Sequence, residues 1–148
     1  RKGGMLFYDG HDITPYLKDY MIDRYVAIIS PLSNVRRLVT QAQRAFAKTH
    51  DSVIEGRDIG SVVFPEANCK FFLTSSLSVR AQRWQKDQEK RGHIFSLEEA
   101  EEKIESRDKK DRDRDISPLV VPHNAVVIDN SVMTIRETMD RMIEVIKN

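Results

Sequence analysis

An α/β fold organised around a parallel sheet is what this sequence predicts, on three observations. Short runs rich in β-branched and aromatic residues, Ser52-Val53-Ile54, Lys70-Phe71-Phe72-Leu73 and Ala125-Val126-Val127-Ile128, are too brief for helices and read as buried strands, the first two enclosed on both faces. Between and after them lie longer stretches whose apolar residues recur at helical spacing. Strand and helix therefore alternate, the pattern of parallel strands joined by right-handed crossovers. With 148 residues, no internal repeat and no low-complexity linker apart from one charged run, a single domain carrying mobile segments is expected.

Taken in order, Met5 to Tyr8 precedes Asp9-Gly10, a strong hairpin-turn dipeptide, so a small strand pair or a strand end is expected within Arg1 to Asp12. Thr14-Pro15 carries the N-cap and first-turn chemistry of a helix leading into Tyr16 to Ile22. Pro31 permits a second start near Leu32 or Ser33, and Val35, Leu38, Val39, Ala42, Ala45 and Phe46 give that helix an apolar face through about Lys48. Its other face, with Arg36, Arg37, Gln41 and Arg44, reads as solvated. Beyond the central strands, Ser76 and Ser78 offer caps for a helix to about Arg91, with Val79, Ala81 and Trp84 toward the sheet and Gly92 ending it.

Ser96-Leu97-Glu98-Glu99 is a capping box, the serine accepting from a backbone amide and Glu99 returning the bond, and it opens a strongly charged helix to Arg107 or beyond. Every residue from Arg107 to Asp115 is charged, which fits a solvated helix, a disordered run or a mobile lid that orders around phosphates. After the last strand, Asp129-Asn130 forms a turn and Thr134 to Glu137 a second capping box. The helix it opens is expected to present Ile135, Met139, Met142, Ile143 and Ile146 to the core.

Composition narrows the function. At 40% apolar and 32% charged residues, with 24 Lys and Arg against 23 Asp and Glu, the formal net charge is +1. No global field draws nucleic acid or an anionic membrane, so an anion must be held by local arginine clusters. No apolar run is long enough for a membrane span, and no signal-peptide pattern opens the chain. Cys69 stands alone in a strand expected to be buried, which excludes an internal disulfide and a cysteine metal site and points to a reducing cytoplasm.

Glycine and charge interrupt the apolar pattern at Glu55-Gly56-Arg57-Asp58-Ile59-Gly60, directly after a predicted strand. Open α/β sheets bind ligands beyond the carboxyl ends of their strands, so a site is expected here; Arg57 and Asp58 are equally compatible with solvation of a turn. Gly56 is expected to let the backbone turn sharply. The longer run Glu55 to Pro65, EGRDIGSVVFP, closely resembles the (D/E)GRD(I/M)GTVVFP signature of bacterial-type cytidylate kinases. A second block, Arg107 to Arg114 followed by Ser117-Pro118-Leu119, looks like that family's lid segment with its trailing A-P-L.

The resemblance covers the chain from about Tyr8 onward. It implies a three-layer parallel sheet flanked by helices, of the P-loop nucleoside monophosphate kinase type. Residues 1–148 would be a partial kinase domain, with a monophosphate-binding insert over about 1–30 and a mobile lid over about 92–118. It further implies ATP-dependent phosphorylation of CMP or dCMP in pyrimidine nucleotide metabolism, Mg2+ accompanying the ATP, by a cytoplasmic monomer that contacts neither nucleic acid nor membrane. By the same resemblance, Arg57 and Arg114 take the acceptor phosphate and are the catalytic candidates, as suits the planar fork of a guanidinium. Asp58 would accept from the cytosine amino group, a donor that uracil lacks, with Arg36 assisting at the base. Arg107 and Asp111 match positions that contact the ribose hydroxyls, and Arg80 and Arg83 match a V-R-A-x-R sequence that approaches the donor nucleotide.

The chain also departs from the family pattern. Ala27 stands where a serine commonly faces the base, nine positions before Arg36, a loss of about 1 kcal/mol of hydrogen bonding. Trp84 stands where a further arginine is frequent. The family begins with a strand and a GPSGSGKG-type phosphate loop that do not occur in these residues, the strand lying between the one ending at Ile54 and the one containing Phe71 to Leu73. These 148 residues alone are therefore expected to lack the donor cradle and to be inactive. A non-catalytic nucleotide-binding module that has lost the loop is the alternative. A nucleic-acid module is disfavoured, because acidic residues offset the basic ones and no exposed aromatic platform is evident.

Overall fold

The computed structural model describes residues 5–18 and 20–147. They form a mixed α/β chain with two small two-stranded sheets, in two compact units, Arg1–Phe46 and Ala47–Asn148.

In the first unit, β1 (Phe7–Tyr8) and β2 (His11–Asp12) pair antiparallel, as the Asp-Gly dipeptide requires. Asp9 at φ 47° and Gly10 at φ 77° both take the left-handed backbone region that a tight two-residue hairpin turn requires. Gly3 and Gly4 lie outside the described residues, as does the side chain of Ala27. Thr14 does not act as the expected N-cap. Its hydroxyl accepts from the Leu6 amide at 2.6 Å, closing the hairpin, while its own amide donates to Asp12 Oδ1 at 2.9 Å. Hydrogen bonding to Thr14, its side chain first and then its amide, holds the Asp12 carboxyl below its usual range. Only a short 3-10 turn, Thr14–Lys18, follows, and α1 (Tyr20–Ile29) begins later than expected. The next helix, α2 (Ser33–Ala47), falls where the periodicity puts it, but Leu38, Val39 and Phe46 on its apolar face are exposed. Periodicity identifies a face; it does not supply a partner for it.

In the second unit, β3 (Phe71–Thr74) and β4 (Val126–Asp129) pair in parallel, with Phe71 opposite Val126 and Thr74 opposite Asp129. The ladder continues at both ends, Val126 N donating to Lys70 O and Asn130 N to Thr74 O at 2.9 Å each. Three expectations are corrected here. Ser52-Val53-Ile54 forms no strand and Val53 is 100% exposed, since an extended run becomes a strand only where a neighbour accepts its amides. Burial on both faces fails as well: Ile128 is buried, but Leu73 and Val127 are exposed. Cys69 precedes β3 and is exposed.

The helices of this unit follow their caps. Ser76 accepts from Val79 N to start α3 (Leu77–Glu89). Gly92 at φ 83° closes it, with His93 N donating to Gln88 O at 3.0 Å and Gly92 N to Glu89 O at 2.9 Å. Both capping boxes form. Ser96 N donates to Glu99 Oε2 at 2.7 Å at the head of α4 (Leu97–Asp113), and Thr134 N to Glu137 Oε2 at 2.7 Å at the head of α5 (Ile135–Lys147). Helix α3 packs along α4, and Ala81 and Ala100 are fully buried, small side chains suiting a close approach of two backbones. Trp84 meets Phe95, ring centroids 5.0 Å apart, rather than the sheet, and Lys103 Nζ lies 5.3 Å from the Phe95 centroid. On α5 the expected core positions Ile135, Met139, Ile143 and Ile146 are exposed, and Thr138 is buried instead.

Two predictions arise from these contacts. A Cβ on Gly60 would lie 2.9 Å from Pro122 Cγ, a ring atom with little freedom to move, so Gly60→Ala is expected to destabilise the protein by about 1 to 3 kcal/mol, read as a lower Tm. An unchanged Tm would mean that the Pro122 loop yields freely. The second concerns acid. Bonds from the N-cap backbone, then from the N-cap hydroxyl, hold the Glu99 and Glu137 carboxyls below their usual range. A depressed folded-state pKa contributes stability that is present above the unfolded value and lost as pH falls through the folded one. Tm should therefore decline below the ordinary glutamate range, and Glu99→Gln with Glu137→Gln should flatten that decline.

Candidate functional site

The segment after Ile54 turns through one π-helical turn, Ile59–Val63. The Asp58 carbonyl accepts from both Val62 N at 2.9 Å and Val63 N at 3.2 Å, and Phe64 N reaches Ile59 O at 2.7 Å. Such wide turns cluster at functional sites. Gly56 serves this turn differently from expectation. It is not among the glycines with positive φ; instead, a Cβ there would lie 2.7 Å from Ile59 Cγ1, so glycine admits the close approach of that side chain. Asp58, which leads the turn, is a buried carboxylate.

Arg57 reaches α4. Its Nε lies 3.3 Å from Asp111 Oδ2 and its Nη1 3.8 Å from Asp108 Oδ1. Asp111 also faces Arg114, whose Nη1 is 3.6 Å from Oδ1. Asp108 is bound more tightly from the other side, by Arg80 Nη1, and Arg80 Nε donates to Ser75 O at 3.0 Å just beyond the carboxyl end of β3. The side chains of Asp108 and Asp111 are 10% and 18% exposed, against 41% for Arg57. Arg57, Arg80 and Arg114 against Asp108 and Asp111 leave one positive charge in excess, in a half-buried cluster whose forked donors suit an anion.

Arg114 is fixed by the segment that follows it. Its Nε donates to Ser117 O, and Leu119 N donates to Asp111 O at 2.7 Å, so Ser117-Pro118-Leu119 folds back on the end of α4. Ser117 takes φ 54°, unusual for a residue with a side chain and tolerated where surrounding bonds hold it. Arg114 Nη2 and Ser61 Oγ are enclosed without a hydrogen-bond partner. The charged run is thus helical through Asp113, with one face turned inward.

Of the sequence-predicted residues, the fold brings together Arg57, Asp111, Arg114 and Arg80. Arg107, expected beside Asp111, is exposed and stands outside the cluster. Arg83 grips the turn after β4, Nη1 donating to Asn130 Oδ1 and Nη2 to Asn130 O, both at 2.8 Å. Arg36, in the first unit, donates to Ser30 O at 3.3 Å. Asp108 was missed. Its signal was its spacing of three from Asp111, which places both carboxylates on one helix face. A separate cavity lined by Asn68, Cys69, Lys70, Asn124 and Val126 opens at the amino ends of β3 and β4; the carboxyl ends are where such sheets bind ligands, and the arginine cluster lies there. Among the described residues, no three His, Cys, Asp or Glu side chains gather to hold a metal, and no helix is long and apolar enough to cross a membrane.

The chain matches the sequence model of the cytidylate kinase family over residues 2–148. It is 37% identical over 145 residues to a cytidylate kinase of Caldanaerobacter subterraneus, covering 98% of this chain and 65% of that protein. It is 41% identical over 135 residues to one of Desulforamulus reducens, covering 91% and 61% respectively. A bifunctional pantoate ligase/cytidylate kinase of Synechococcus is 37% identical over 135 residues, covering 91% of this chain and 25% of the larger protein. The chain thus spans less than two thirds of the length of these curated relatives.

Proposed function

The chain belongs to the cytidylate kinase family, and on that premise we propose that the protein it represents phosphorylates CMP or dCMP with ATP, on a P-loop nucleoside monophosphate kinase scaffold with a three-layer parallel sheet and a lid. One observation carries the acceptor half of that reading. Arg57 and Arg114 converge on Asp111 from two different segments, presenting paired guanidiniums at one half-buried point. A dianionic monophosphate entering there takes up the excess positive charge and offers the acceptor that Arg114 Nη2 lacks. Asp58 reads the cytosine amino group, while Arg107 and Asp111 hold the ribose. Arg83 stands toward the donor.

In the reaction, an oxygen of the acceptor phosphate forms a bond to the γ-phosphorus of ATP as the bond to the bridging oxygen breaks and ADP leaves. The chain's part is positioning and charge neutralisation. Mg2+ would arrive with the ATP phosphates; Asp108 and Asp111 are engaged by guanidiniums and do not fit as its ligands, so no step depends on the ion here. The kinase names of the relatives support an enzyme over a non-catalytic module. A cytoplasmic setting goes with that reading.

Calorimetric titration of the full-length protein with CMP and with ATP, together with an ADP-release assay, tests it. CMP-dependent ADP release is expected; binding of nucleic acid with a steep salt dependence and no binding of CMP would overturn it. Asp58→Asn is expected to shrink the preference for CMP over UMP by roughly 1 to 3 kcal/mol, since the amide loses charge assistance and can donate to a uracil oxygen. An unchanged preference would remove Asp58 from the base site.

A further inference from the structure

We propose that Asp108 and Arg80 form a positioning pair that sets Arg57 for the acceptor phosphate, so that Arg80 serves the acceptor side of the reaction rather than the donor side. The inference rests on the kinase reading above.

Four groups on four segments carry it. Ser75, at the carboxyl end of β3, receives Arg80 Nε at 3.0 Å. Arg80, on the first turn of α3, holds Asp108 Oδ2 with its Nη1. Asp108, on α4, turns its other oxygen to Arg57 Nη1 at 3.8 Å. A carboxylate with a side chain only 10% exposed needs cationic partners on both oxygens, and Asp108 has one on each. Arg80 is thereby engaged by the protein itself through two of its five N–H donors, one on Nε and one on Nη1.

The division of labour within the cluster follows from distance. Asp111 stands between Arg57 and Arg114 at 3.3 and 3.6 Å, where an entering phosphate competes with it for the same donors. Asp108 is anchored by Arg80 and keeps its place when the phosphate arrives. It supplies the fixed end of the Arg57 guanidinium while the Nε edge is exchanged from Asp111 to the ligand. Arg80 thus acts through Asp108, and Asp108 through Arg57; neither touches substrate.

The test uses the full-length enzyme with Arg80→Ala, Arg80→Lys, Asp108→Asn and the Arg80→Ala/Asp108→Asn double variant. KM for CMP and for ATP, kcat, and binding of CMP and of cytidine are measured. Arg80→Ala and Asp108→Asn are each expected to raise KM for CMP by roughly tenfold, about one charge-assisted hydrogen bond's worth, with KM for ATP and cytidine binding within about twofold. The double variant should be no worse than the worse single one, because both break the same chain of contacts. Arg80→Lys, which keeps the charge but not the two-pronged grip, should fall between.

A rise in KM for ATP with CMP unchanged in Arg80→Ala would return Arg80 to the donor side and overturn the proposal. Equal losses for CMP and cytidine would overturn it in favour of a structural role. If Asp108→Asn fails to unfold cooperatively, the two Arg80 variants decide by the same criteria. A wild-type enzyme inactive on CMP would remove the kinase reading and this inference with it; an active one whose variants keep their KM for CMP would remove this inference alone.

Discussion

Replacing Arg57 with alanine in the full-length protein should weaken CMP by roughly 30- to 300-fold and leave cytidine within about threefold. The asymmetry follows from what the guanidinium meets. Its partners are Asp108, Asp111 and, in the proposed complex, the phosphate; none of them belongs to the nucleoside. Two charge-assisted bonds to a phosphate, each of order 1.5 kcal/mol or more and discounted for a side chain 41% exposed, give about 2 to 3.5 kcal/mol. Arg114→Ala should act in the same direction. Calorimetric titration with both ligands decides: parallel losses for CMP and cytidine would make Arg57 a structural residue.

The second large effect concerns stability. A polypeptide limited to residues 1–148 is expected to be molten or insoluble and to transfer no phosphate. Val53, Leu73, Val127, Ile135, Met139 and Ile146 are all exposed in this fold, and among the described residues no large side chain is fully enclosed. A Val, Leu, Ile or Met left in water forgoes about 1.5 to 3 kcal/mol each. Discounted for the four that are only about half exposed, these six together forgo about 6 to 12 kcal/mol, comparable with the roughly 5 to 15 kcal/mol that typically separates folded from unfolded domains. A single pair of parallel strands adds little, since sheets generally need more strands for independent stability. The isolated polypeptide should bind a hydrophobic dye and melt without a sharp transition. A sharp calorimetric peak accompanied by CMP phosphorylation would show this to be wrong.

How much was legible in the sequence depended on the range of the interaction. The turn at Asp9-Gly10 and the boxes at Ser96–Glu99 and Thr134–Glu137 join residues three or fewer positions apart, so residue type and spacing sufficed. The apolar runs at Phe71 and Val126 were readable as strands and do pair in parallel. Val53 read the same way and is bare, because a strand's existence depends on a neighbour that composition does not name. Likewise the apolar faces of α2 and α5 were found, but not what they meet. Within the site, Arg57 and Arg114 were picked out by motif and meet at Asp111. Asp108 was hidden because every residue from Arg107 to Asp115 is charged, and an amphipathic signal vanishes when both faces carry charge. Only the packing of α4 beside α3 reveals which carboxylates turn inward. The wide turn at Ile59 left no trace that residue types could report.

That wide turn makes the length of the chain matter as well as its wording. A π-helical turn holds one residue more than an α-helical turn over the same rise, and here the surplus is absorbed between the Asp58 carbonyl and the two amides it receives. Substitution of Ser61 or Val62 alters a side chain and leaves the register intact. Loss of a single residue between Ile59 and Val63 would remove that surplus and tighten the turn to an ordinary helical one, redistributing the side chains within it at about 100° per residue around the axis. Gly60 would then lose its seat against Pro122. In this turn the number of residues is as much a structural requirement as the glycine at position 60.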